Sequence, residues 1–205
     1  MKKNQQNSKS STNKGEVRII AGQWRGRKLP VLMAEGLRPT GDRVKETLFN
    51  WLMPYIVDSR CLDCFAGSGS LGFEALSRQA KSVTFIEYEK SVAKQLQQNL
   101  QQLKCTPEQA KVIQQNSLDW LKQSQNQPHF DLVFLDPPFH HNLAQQAIDR
   151  LHQYQWLAPN ALIYVETEKG LSLQVPPHWQ LHKQKTTGMV SYRLYQLTDQ
   201  TTINY

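Results

Sequence analysis

Cys61-Leu62-Asp63-Cys64-Phe65-Ala66-Gly67-Ser68-Gly69-Ser70-Leu71-Gly72-Phe73-Glu74-Ala75-Leu76 is the stretch on which the fold of this chain turns. Its first five residues read as a short buried strand that runs into a glycine turn, and the turn opens a helix. Gly67, Gly69 and Gly72 let the backbone approach a ligand closely and let the helix pack on the strand, while the helix amino end offers N–H groups to an anion or a polar ligand. Working outward, Ser82 to Glu87 reads as a second strand whose terminal acid follows the glycines by ~20 residues, where a ribose-binding carboxylate is expected. The spacing G-x-G-x-x-G fits a dinucleotide or another nucleoside cofactor equally well.

Further on, the apolar run Phe130-Asp131-Leu132-Val133-Phe134-Leu135 ends in Asp136-Pro137-Pro138-Phe139. A buried strand thus delivers a carboxylate at its carboxyl end, and two prolines stiffen the following turn. The Asp136 carboxylate and a proline carbonyl can both accept from an exocyclic amine, and neither proline has an N–H that competes. Phe139 supplies a stacking face for a flat base. A proline-rich turn after a core strand is the plain alternative. Asp63 at the end of the first strand, together with this turn, favours a sulfonium cofactor over a nicotinamide one. Asp63 can help receive the amino-acid portion, and Glu87 can take both ribose hydroxyls.

The rest of the chain alternates strand and helix as a doubly wound parallel sheet requires. Residues 40–55 read as a first helix, 89–103 as a second, 110–114 as a strand, 117–122 as a helix start and 143–154 as a further helix. Residues 161–165 read as a fifth strand, and 179–185 with 190–196 as an antiparallel hairpin around Thr187-Gly188. Ligands in such sheets bind outside the carboxyl ends of the strands, which collects Asp63, Glu87, Asn116 and Asp136 at one edge.

Charge is distributed unevenly. The chain carries a formal net charge of +7, and all of the excess lies in residues 1–46, which hold eleven Lys or Arg against four Asp or Glu; residues 47–205 hold thirteen of each. Residues 1–15 lack the apolar content to fold alone and are expected to be a disordered basic tail. From Val17 to Pro30, Arg18, Arg25, Arg27 and Lys28 interleave with Trp24, which predicts a hairpin that grips phosphates. Arg43 and Lys45 at the start of the first helix extend this expected nucleic-acid surface. An edge hairpin with protective charges is the competing reading. Cys61 and Cys64 bracket a strand and lack a second pair, so inert core thiols are expected and no metal site. His140-His141 reads as a solvated loop. The polar, lysine-bearing start lacks an apolar stretch behind it, so the cytoplasm is the expected compartment, without a membrane.

Asp63-Cys64-Phe65-Ala66-Gly67-Ser68-Gly69, Asp136-Pro137-Pro138-Phe139, the stretch Arg38-Pro39-Thr40-Gly41-Asp42-Arg43-Val44-Lys45-Glu46-Thr47-Leu48-Phe49-Asn50-Trp51-Leu52 and the closing Ser191-Tyr192-Arg193-Leu194-Tyr195 together resemble the RsmD family of bacterial ribosomal RNA methyltransferases. The resemblance spans nearly the whole chain. It implies an α/β, class I, Rossmann-like methyltransferase fold: a doubly wound, mostly parallel seven-stranded sheet with an antiparallel C-terminal hairpin and a small N-terminal hairpin and helix. Residues 16–205 would form one domain, with an RNA-binding extension at 16–55. It implies S-adenosylmethionine as cofactor and the exocyclic N2 of one guanine in small-subunit (16S) ribosomal RNA as acceptor, within an assembling ribonucleoprotein, by a monomer. By position it places Asp63, Phe65, Gly67, Gly69, Gly72 and Glu87 around the cofactor. It puts Asn116 and Ser117 beside the adenine, and Arg38 and Thr40 near the cofactor mouth. Amino-methylation of DNA adenine, a nicotinamide oxidoreductase and a non-catalytic RNA-binding factor remain the alternatives.

Overall fold

Strand residues in this chain alternate between two apolar layers, and each layer is covered by helices, so a central sheet forms with its faces buried. The computed structural model describes residues 14–32, 41–123, 129–139 and 141–198. Its elements are β1 (Lys14–Arg18), β2 (Lys28–Leu32), α1 (Asp42–Leu52), β3 (Arg60–Asp63), α2 (Ser70–Ser77), β4 (Ser82–Glu87), α3 (Lys90–Gln102), β5 (Ala110–Gln114), α4 (Ser117–Leu121), β6 (Phe130–Leu135), α5 (Leu143–Gln153), β7 (Leu157–Glu168), β8 (Trp179–Thr187) and β9 (Val190–Leu197).

Seven strands lie in the order β5-β4-β3-β6-β7-β9-β8, with β1 and β2 as a separate antiparallel pair. The strands from β5 to β7 run parallel, and β9 is antiparallel to both its neighbours. This order and these directions are those of the doubly wound, mostly parallel seven-stranded sheet with an antiparallel C-terminal hairpin that the resemblance implies. The order reverses between β3 and β6, so a crevice opens where their carboxyl ends diverge. Cys61, Val83, Phe85, Leu132, Phe134 and Tyr164 face α1, α2 and α3. Leu62, Ile86, Val133, Leu135 and Ile163 face α4 and α5, where Trp120 stacks on Trp156 at 4.3 Å.

The N-terminal hairpin is fastened to this body. Its apolar residues Val17, Ile19, Leu29 and Val31 are buried. The Glu74 carboxylate on α2 accepts the N–H groups of Ile20 and Ala21 at 2.8 and 3.0 Å, and Arg78 donates to it at 2.8 Å. Ser77 accepts from the N–H groups of Gln23 and Trp24 and donates to the Ala21 carbonyl at 2.6 Å. Gly22, at φ +82, brings its backbone so close to Ser77 that a Cβ would stand 1.9 Å from the Ser77 carbonyl oxygen.

Two boundaries differ from expectation. β1 starts at Lys14, inside the residues expected to be tail, and residues 1–13 lie outside the described ones. β7 is twelve residues long where residues 161–165 were expected. Pro159 and Asn160 precede the expected strand, and the ladder absorbs them in a bulge between the pairs Phe130–Leu157 and Leu132–Leu162, with Asn160 at φ +60. Among the described residues, no helix is long and apolar enough to cross a membrane.

Candidate cofactor and substrate site

The glycine turn forms because β3 must leave the sheet and α2 must start at once above it. Gly67 and Gly69 take positive φ values of 49 and 72, which favour glycine, and the Gly69 N–H closes the turn on the Ala66 carbonyl at 2.7 Å. Gly72 acts by size: a Cβ there would lie 2.2 Å from the Phe85 ring, so its absence lets α2 sit down on β4. The buried Asp63 carboxylate accepts the Gly72 N–H at 3.0 Å. Burial pushes this carboxyl up to about 7, against the pull of the Gly72 N–H, and Glu87 adds to the rise.

Glu87 ends the neighbouring strand and braces the same turn. One oxygen accepts from Gly67 N–H at 2.8 Å and the other from Glu89 N–H at 2.7 Å. Burial raises its pKa, and these N–H groups oppose the rise. Ser70, the first residue of α2, was not foreseen from sequence. Its hydroxyl is buried and has no hydrogen-bond partner among the described residues. An unpartnered buried hydroxyl beside two left-handed glycines and a helix amino end suits a polar ligand group. With the Glu87 carboxylate at the next strand end, this set fits a nucleoside bearing an amino-acid tail.

Asn116 and Ser117 follow β5 on the same edge, but their side chains serve the fold. Asn116 caps α4 by accepting the Asp119 N–H at 3.1 Å, and the Ser117 hydroxyl is buried and donates to the Cys64 carbonyl. A ligand at this loop would therefore meet backbone more readily than these side chains. Phe65 is half-buried against the α4/α5 layer. Arg38 and Thr40 lie outside the described residues.

Asp136-Pro137-Pro138-Phe139 emerges from β6, the strand hydrogen-bonded beside β3, so Asp136 and Asp63 end adjacent strands. Pro137 is buried, Pro138 exposed and Phe139 half-buried. A cavity of about 230 Å³ adjoins them, lined by Pro137, Pro138, Phe139, Glu166, Thr167 and Leu171 among others. Neither Glu166, one residue beyond the strand expected at 161–165, nor its partner Tyr164 within that strand was expected at the site. The Tyr164 hydroxyl donates to Glu166 at 2.9 Å.

The expected nucleic-acid residues separate into two groups. Arg18, Arg25, Arg27, Lys28 and Arg43 are exposed, and Trp24 is half-buried against the core. Lys45 is a correction. Its side chain is 1% exposed, and its ammonium donates to the Arg18 carbonyl at 2.5 Å and pairs with Asp42 at 3.3 Å. It ties α1 to the hairpin and presents no charge to RNA. Arg25 and Arg27 flank the hairpin tip, which lies against the Ser77 end of α2; the glycine turn is at the other end, about 12 Å away along the helix axis. Cys61 and Cys64 are buried free thiols, and burial pushes Cys61 up to about 12. No group of three or more metal-ligating side chains occurs among the described residues.

Comparison with known proteins decides the family. The family described as Conserved hypothetical protein 95 matches residues 17–196. A Haemophilus influenzae protein named ribosomal RNA small subunit methyltransferase D is 76% identical over 89% of this chain and 95% of its own length. The chain belongs to the RsmD family. An Escherichia coli RsmD-family member of the same name is 55% identical over 89% of this chain and 90% of its length. A solved H. influenzae structure superposes with a TM-score of 0.81 at 71% identity, covering 90% of this chain and all of that one. One from E. coli gives 0.83 at 51%, covering 91% and all of that chain. The RsmD-family segment thus excludes residues 1–16 and includes every site residue described above.

Proposed function

We propose that this protein transfers the methyl group of S-adenosylmethionine to the exocyclic N2 of a guanine in small-subunit ribosomal RNA. The observation that carries the reading is the adjacency of two strand ends: β3 delivers the glycine turn and Asp63, and β6 delivers Asp136-Pro137-Pro138-Phe139 beside it. The relatives' shared name supports the ribosomal substrate. Asp63, Gly67, Gly69, Ser70 and Glu87 would hold S-adenosylmethionine, which supplies an electrophilic methyl group on a cationic sulfur.

The difficulty of the reaction is that a guanine amine shares its lone pair with the ring. The Asp136 carboxylate and the Pro137 carbonyl would accept its two N–H groups, favouring a tetrahedral nitrogen with the lone pair aimed at the methyl. Alignment of this kind recovers roughly 7 to 11 kcal/mol of a barrier, so no strong base is required. Asp136 can accept the proton that the amine sheds. Phe139 would stack on the base, which must be unpaired or flipped to reach it. The exposed Arg18, Arg25, Arg27, Lys28 and Arg43 would hold the RNA backbone without reading sequence. The working form would be a cytoplasmic monomer acting on an assembling small subunit.

Methyl transfer from radiolabelled S-adenosylmethionine to ribosomal RNA, naked and in partly assembled small subunits, tests the reading when followed by nucleoside analysis. N2-methylguanosine is the expected product. Methyladenosine would keep the site and overturn the substrate, and label on DNA alone would move the protein to a different substrate class.

A further inference from the structure

We propose that Glu166 selects the base: it accepts the ring N1–H of guanine while Asp136 accepts from the neighbouring amine, so that a pair of carboxylates recognises an edge with two adjacent donors. The inference rests on the guanine reading above and names the group that enforces it.

The geometry begins with register. Leu135 of β6 and Val165 of β7 are the last pair of their parallel ladder, so Asp136 and Glu166 are the next residues on two chains that run side by side, where strands lie ~4.8 Å apart. Phe134 and Tyr164 face the same core layer, and strand alternation sends Asp136 and Glu166 out on that same side. Glu166 is only 9% exposed, and its backbone borders the cavity that Pro137, Pro138 and Phe139 share with Leu143 and Ala144 of α5, while its carboxylate is held on the Tyr164 side of the sheet. Tyr164 fixes its rotamer through the 2.9 Å hydrogen bond from the phenol. Burial, and next the charges of Glu166 and Asp136, push that phenol well above its usual range, so it remains a donor and both carboxylates act on it.

Guanine presents N1–H and the 2-amine side by side, and an ionised carboxylate is an acceptor only. Adenine and cytosine present an amine beside a bare ring nitrogen, whose lone pair would face Glu166. The second carboxylate therefore repels the wrong bases as well as attracting the right one. Of the two carboxylates only Asp136 takes part in the amine chemistry, which makes Glu166 a determinant of specificity and gives it a separate signature.

The probe is 2-aminopurine, which keeps the 2-amine and replaces N1–H by a lone pair. The ribosomal RNA fragment that accepts the methyl group is synthesised with guanosine or 2-aminopurine at the acceptor position. Wild-type kcat/KM is expected to favour guanosine by at least about tenfold. Glu166→Gln, whose amide can donate to a ring nitrogen, is expected to bring the two substrates within about threefold of each other. An unchanged ratio, with both rates lowered equally, would overturn the proposal, as would a wild-type enzyme indifferent to the two bases. If Glu166→Gln loses cofactor binding and with it the fold, Tyr164→Phe decides: the ratio should fall severalfold, and an unchanged ratio sinks the idea. Absence of N2-methylguanosine with wild-type enzyme would instead remove the guanine reading itself, and this one with it.

Discussion

At the level of single residues, Asp63 lies under opposing forces. Burial raises its carboxyl from an ordinary value of 3.8 to about 7, and the Gly72 N–H and the Glu87 charge pull in opposite directions on it. Between those two values the folded protein holds a proton that the unfolded chain has lost. The contribution of Asp63 to stability is then complete below pH 3.8 and declines as pH rises through about 7. Asp63→Asn should flatten that decline, which thermal melts at a series of pH values would record. A cationic cofactor favours the ionised form, so its affinity should climb as pH passes through about 7 and binding should release a proton. Calorimetry in buffers of different ionisation enthalpy would detect the release, and a proton count of zero would separate Asp63 from the cofactor. For Asp136→Ala a loss of kcat by about a hundredfold or more is expected, with cofactor affinity nearly intact; loss of both together would assign Asp136 to the fold. Gly72→Ala should cost about 1 to 3 kcal/mol, since the new methyl meets the Phe85 ring at 2.2 Å.

Elements are joined here by charges that look like surface residues in sequence. Glu74 is fully buried and serves two backbone N–H groups of the hairpin as well as Arg78. Glu74→Ala should destabilise the protein by about 3 to 5 kcal/mol and leave Arg78 uncompensated, as chemical denaturation would measure. Neither this role nor the burial of Lys45 was legible, because each depends on a partner segment, 53–54 residues away for Glu74 and 27 for Lys45. Local patterns were legible where neighbours in sequence suffice. Glu87 and Asp136 stand at strand ends, Gly67 and Gly69 in the turn and Gly72 in the first turn of α2, as the local patterns predict, and the sheet follows from the strand and helix alternation. Glu166 escaped because it lies one residue beyond the strand expected at 161–165, and its place beside Asp136 is set by the pairing of β7 with β6.

For the whole molecule, the division of charge has a spatial sense. The hairpin tip with Arg25 and Arg27 is pinned at the far end of α2 from the glycine turn, so under the proposed function its cations would meet RNA that extends past the reacting base. Replacing both arginines by alanine should raise KM for RNA, leave kcat unchanged and reduce the salt slope of binding by about two. A fall in kcat of the same size would place the tip in the chemistry instead. The fastening of this tip also sets a schedule. Ile20 and Ala21 are translated more than fifty residues before Glu74, their anchor. At about 5 to 20 residues per second, the nascent hairpin waits several seconds with Val17, Ile19, Leu29 and Val31 uncovered until α2 is made. The basic hairpin is thus apolar-faced early in synthesis, and it can close onto α2 while the strands from β4 to β9 are still to be made.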